Sequence, residues 1–212
     1  MRLVSTRRWE SLERRSPTAF LVAGALFVIF AVVWGLGTYT GLQPRPAVDV
    51  FGPVGWTAAF LGLLGLYPRL ADRSPRAAQA GAVFVAVGVA GAAVTAVTAL
   101  AELAGVVTDP PAWFAAFNLP IFVGIIPGFL AFGVATLSTG ARSRTLGLLL
   151  LAPAVIFSVN FVRVLVLGPT TPQWAPFLLG AGQAAALLAV GYSLVSAGTP
   201  PDSAAVSTDS AT

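Results

Sequence analysis

Apolar and polar positions along the chain fall into six long greasy stretches separated by short polar connections. Each stretch is long enough to cross a bilayer core, which takes about 20 helical residues. They lie at about 18–40, 50–67, 79–105, 112–137, 145–168 and 174–197. The pattern predicts an all-α, polytopic integral membrane protein: a bundle of six transmembrane helices with short loops. Residues 1–17 read as a cytoplasmic basic amphipathic tail and 18–197 as the membrane domain. Residues 198–212 read as a disordered cytoplasmic tail, because "GTPPDSAAVSTDSAT" has no apolar periodicity.

The first stretch follows "RRSPTAF", where Ser16 is placed to cap a helix and Pro17 to occupy its first position. Its apolar run exceeds that of a signal peptide, and "WGLGTYTG" offers no small-x-small cleavage site, so it reads as a retained anchor. In the preceding "STRRWESLERR", Trp9 and Leu12 are three apart and Glu10 stands four before Arg14. A short interfacial helix would put the apolar pair in lipid and Arg7, Arg8, Arg14 and Arg15 near anionic headgroups. A disordered positive tail that only sets topology is the simpler alternative.

The third stretch, "AGAVFVAVGVAGAAVTAVTA", has alanine or glycine on almost every face, which places it centrally in the bundle or, alternatively, at a dimer interface. Pro120, Pro127 and Pro153 should bend the fourth and fifth stretches. Two hairpins, "FLGLLGLYPRLADRSPRAAQAGAVF" and "FLAFGVATLSTGARSRTLGLLLL", share a plan that follows from topology alone, since every inner loop carries arginines.

Composition agrees with the bilayer as solvent. Only 9% of the residues are charged, against about 25% in an ordinary soluble domain, and the mean hydropathy is +0.85. The net charge of +4 does not form one basic face, so nucleic acid is not an expected partner. The arginines follow the threading instead. Arg2, Arg7, Arg8, Arg14, Arg15, Arg69, Arg73, Arg76, Arg142 and Arg144 all fall on one side, leaving only Arg45 in an opposite loop and Arg163 in the membrane. By the positive-inside rule both termini are cytoplasmic, in a cell membrane. Trp34, Tyr39, Trp56, Trp113 and Trp174 fall near predicted outer ends, and Tyr67 and Tyr192 near inner ends, as a two-sided aromatic belt.

The chain contains no cysteine, histidine or lysine. Disulfides, bis-histidine haem, ordinary zinc sites, thiolate nucleophiles, Schiff bases and a Walker-type phosphate lysine are therefore excluded. Ser158 has no histidine base, no pair of aspartates lies within the spans, and no glycine-rich phosphate loop is present. No enzyme, metal or cofactor is expected.

What remains is a small set of polar residues inside apolar chain. In "VIFSVNFVRVLVLG", Arg163 sits roughly 6–8 Å below Gly168 at 1.5 Å per residue, with Asn160 one turn deeper. Glu102, at the end of a stripe with Thr95 and Thr98, reaches a similar depth on the third stretch. Asn118 enters on the fourth and Gln183 on the sixth. A charge there costs several kcal/mol unless it snorkels, pairs or meets water. A Glu102–Arg163 pair is therefore expected, with Asn160 and Asn118 or Gln183 satisfying the remaining donors.

Such a cluster would lock two helices in register, with Arg163 also able to snorkel alone. As a site it would form an outward-facing pocket for an anion, a lipid headgroup or a quinone-like carbonyl; a proton-handling role for Glu102 is the third reading. The leading expectation is a non-enzymatic accessory or assembly subunit, with the lipid bilayer and another membrane protein or a second copy as partners. The alternative is a small transporter or a lipid or small-molecule binder. An accessory subunit should show an apolar lateral patch and a closed interior; a transporter should show a cavity reaching Glu102, Arg163 and Gln183.

Overall fold

The computed structural model describes residues 3–41, 45–108, 111–140, 143–168 and 174–197. Among these, all regular structure is helical. Helices α1 (Leu3–Thr40), α2 (Arg45–Ala71) and α3 (Pro75–Leu103) are followed by a 3-10 stretch at Ala112–Phe117. Next, α4 (Asn118–Val123) and α5 (Phe129–Thr139) are joined by a π-helical turn at Gly124–Gly128 into one rod, and α6 (Arg144–Leu167) and α7 (Ala175–Ser196) complete the chain. Six helical segments are long and apolar enough to cross a membrane: Trp9–Thr40, Asp49–Ala71, Pro75–Leu103, Asn118–Thr139, Arg144–Val166 and Ala175–Ser196.

Each helix packs on its neighbours in sequence, and α7 returns to α1, so the six rods close into a ring with α2 also touching α5 across it. One end of the bundle, here the near end, holds the α2–α3 and α5–α6 connections; the far end holds the starts of α2, α4 and α7. At the near end Gly140 (φ 56°) terminates α5 in the left-handed region, and the Ser143 hydroxyl accepts the Leu146 amide at 3.3 Å to cap α6. Pro127 lies inside the π-helical turn, whose wider winding absorbs the amide that proline lacks.

The core is made of aromatic rings seated against glycines. Phe20, Phe60, Phe129 and Phe132 are fully buried. A Cβ placed on Gly62 would meet the Phe20 ring at 2.9 Å, and one on Gly81 would meet Phe132 at 2.8 Å. Packing of this kind holds apolar helices together where lipid offers no hydrophobic drive between them.

Three sequence expectations change here. The third span is not central: the second and fourth bury 50% of their apolar windows and the third 33%. Gly81, Gly88 and Gly91 form a buried stripe on α3, while Val83, Val87, Val94 and Val97 are exposed. Glycines thus line the face that packs, with Val85 buried among them, while these four valines turn outward.

Nor does the first helix begin at Ser16. α1 runs through Pro17 as one 38-residue helix from Leu3. Ser16 is buried, and its hydroxyl donates to the Gly62 carbonyl on α2 at 2.8 Å instead of capping. Glu13 pairs with Arg69, and the Trp9 ring lies 5.5 Å from that of Tyr67. These contacts to α2 hold the first turns helical, so the segment is neither a separate interfacial helix nor a loose tail. Arg14 and Arg15 are exposed; the side chains of Arg7 and Arg8, and residues 198–212, lie outside the described residues. Ser16→Ala should lower stability by about 0.5–1.5 kcal/mol. Thermal unfolding in detergent checks this, and an unchanged midpoint would mean that the hydroxyl contributes nothing.

Trp56 is the third change. It is 6% exposed and packs in the interior, with its ring 4.9 Å from Phe27, so it is not a belt residue. Tyr39, Trp113, Trp174 and Tyr192 are exposed.

Candidate functional site

Arg163 lies on the outer surface of α6 near the far end, three residues beyond Asn160 and therefore on the same helical face. Its Nε and Nη2 both donate to Asn160 Oδ1, at 3.3 and 3.2 Å. The remaining Nη1 is buried and has no partner among the described residues. A groove of about 300 Å³ between α6 and α7 surrounds the pair, lined by Val155, Val159, Leu178 and Leu179, with Trp174 at its rim. No carboxylate lines it. The groove therefore holds a guanidinium with one nitrogen, Nη1, unmatched among the described residues.

The expected Glu102–Arg163 pair is not formed. Glu102 is half-buried in the last turn of α3 and makes no ion pair with Arg163. Ring order explains the separation: α3 packs on α2 and the α4–α5 rod, and that rod stands between α3 and α6. The polar stripe above Glu102 also turns back on its own helix, with the Thr95 hydroxyl donating to the Gly91 carbonyl at 2.9 Å.

Asn118 and Gln183 do not join Arg163 either. Gln183 is 1% exposed, with its Nε2 donating to the Pro153 carbonyl of α6 at 3.1 Å and its Oε1 buried without a partner. Both residues line a second cavity of about 180 Å³ inside the far half of the bundle, and Asn118 is exposed at its edge. The single expected cluster is thus divided into a lateral groove with Asn160 and Arg163 and an interior cavity with Asn118 and Gln183. Leu179 lines both and forms the wall between them.

The aromatic lining of the interior cavity was not foreseen. Its signal was present as Phe27 and Phe30 three apart on α1, a spacing that puts two rings on one face. A further space of about 700 Å³ lies at the near end among Glu10, Glu13, Arg14, Arg69, Ser143 and Ser193. There Glu13 pairs with Arg69, and Arg14 Nε donates to the Glu10 main-chain carbonyl at 3.4 Å.

Comparison with protein-family models, with curated proteins and with solved structures finds no match for this chain. The reading of function therefore rests on these two sites.

Proposed function

We propose that this chain is a multi-pass integral membrane protein, with both termini in the cytoplasm, that acts without catalysis as a binding protein for an anionic lipid. The α6–α7 groove receives the headgroup, and Arg163 is its recognition group. The observation that carries this reading is the unmatched, buried Nη1 of Arg163 in a groove with no carboxylate, while Asn160 holds the other edge of the guanidinium in place. A planar fork so held can grip a phosphate or carboxylate with two parallel bonds. Exposed Val155, Val159 and Leu178 leave the groove open sideways, the direction from which a lipid arrives. The arginines that the sequence gathers before α1 and around the α2–α3 and α5–α6 connections support the assignment of the near end to the cytoplasm and of the groove to the opposite leaflet. The residue types missing from the chain support the non-enzymatic reading.

The test is thermal unfolding in nanodiscs of phosphatidylcholine with and without phosphatidylglycerol. Wild type should melt higher with the anionic lipid. Arg163→Gln should lose most of that increment, and Arg163→Lys should keep part, because a lysine supplies charge without the fork. An equal increment in all three would remove the proposal.

One observation favours the accessory-subunit reading instead: the apolar window of α6 is only 17% buried, the least of the six. Val162 and Leu165 extend this bare face to the far end. The cysteine-free chain permits a direct comparison by Val162→Cys and bifunctional crosslinking in the native membrane. If lipid covers α6, no discrete protein adduct forms; a single adduct of defined mass would favour the subunit reading.

A further inference from the structure

The interior cavity differs from the lateral groove in chemistry and in access. Five rings from four helices wall it: Phe27 and Phe30 of α1, Trp56 of α2, Phe122 of α4 and Phe157 of α6. They already meet one another near edge-to-face, with Trp56 and Phe157 at 6.2 Å and 82°, and Phe27 and Trp56 at 4.9 Å and 68°. Among the described residues, no charged side chain lines the space.

Against these rings stands one polar group. The bond from Gln183 Nε2 to the Pro153 carbonyl fixes which way the amide points, since the reverse would set two oxygens against each other. Oε1 is thereby left as an acceptor, buried, without a partner, on a side chain that is 1% exposed. A buried water would need two to four polar partners. Besides Gln183, the polar side chains lining the cavity among the described residues are Asn118, at its exposed edge, and Trp56, whose indole N–H can only donate. The site is better matched by an apolar molecule carrying one hydrogen-bond donor.

Size narrows the class. An apolar cavity of about 150 Å³ accepts benzene in another protein. The present one, at about 180 Å³, has room for one six-membered ring and one small substituent. We propose that this cavity binds an uncharged phenol, whose ring packs among Phe27, Trp56 and Phe157 while its hydroxyl donates to Gln183 Oε1. The phenol is either a free small molecule or the ring of a phenolic membrane lipid, entering beside Asn118.

The experiment is 19F NMR of the purified protein titrated with 4-fluorophenol and with 4-fluorotoluene, which has the same size but no donor. Wild type should give a saturable bound signal and hold the phenol about tenfold more tightly than the toluene, the worth of one buried hydrogen bond. Gln183→Leu should bring the phenol down to the affinity of the toluene and leave the latter unchanged. Gly52→Val, at a buried lining position where a Cβ meets only the Phe30 ring at an ordinary 3.6 Å, should fill part of the cavity and weaken both. A phenol bearing a long para-alkyl chain separates the two sources: competition with 4-fluorophenol indicates a lipid-borne ring, and bound 4-fluorophenol that is not displaced indicates a free phenol. No saturable signal in wild type, equal affinity for the two probes, or a preference that survives Gln183→Leu would overturn the proposal.

Discussion

Gly88→Leu is expected to take apart the crossing of α3 with the α4–α5 rod and to leave a protein that no longer elutes as a single species. At this crossing a Cβ on Gly88 would lie 2.7 Å from the Cα of Gly124 and 2.9 Å from the ring of Phe60. Neither neighbour has room to yield. The Gly124 atom is backbone, and Phe60 is fully buried between Trp56, at 5.8 Å, and Phe129, at 6.4 Å. Overpacking of a well-filled core costs about 1–3 kcal/mol, and more where the backbone must move. Against a total stability of about 5–15 kcal/mol, leucine at this position removes a large share. Gly88→Ala should lower the unfolding midpoint by less, and Gly88→Ala with Gly124→Ala should not be additive, because both disturb one contact. A Gly88→Leu variant that melts like wild type would show that the two helices do not approach this closely.

Arg163→Leu should do the opposite in detergent free of anionic lipid. There the guanidinium has one unsatisfied buried nitrogen and only an amide oxygen for company, so removing it should raise stability by about 1–3 kcal/mol. The gain should disappear when anionic lipid is added, because only wild type can use it. Had Arg163 been a lock between two helices, as pairing with Glu102 would have made it, the same substitution should destabilise the protein in every medium. Thermal unfolding with and without lipid distinguishes the two by sign.

The six spans were legible because a run of some twenty apolar residues has few other uses. Their order around the ring was not, since hydropathy does not fix helix rotation when glycine and alanine are spread through the segment, as on α3. The start of α1 was misread for a related reason. Ser16 and Pro17 have the local chemistry of a helix start, but contacts with residues far along the chain, Gly62 and Arg69, override it. Asn160 and Arg163 stood out as an i, i+3 pair in apolar surroundings, and the structure joins them. Matching Glu102 to Arg163 by depth alone failed because depth says nothing of which helices are neighbours. Gln183 was visible as an intramembrane amide, but its partner is a main-chain carbonyl, which composition cannot reveal.

The central claim is that Arg163 is held ready for an anion. Native mass spectrometry of wild type beside Arg163→Gln, both released from mild detergent, tests it most directly. Wild type is expected to carry a bound anionic lipid, identified by its mass, and the variant to remain folded by circular dichroism and emerge without it. If neither form carries a ligand and the variant loses its fold, or if the variant keeps the same lipid, then Arg163 is not the recognition group.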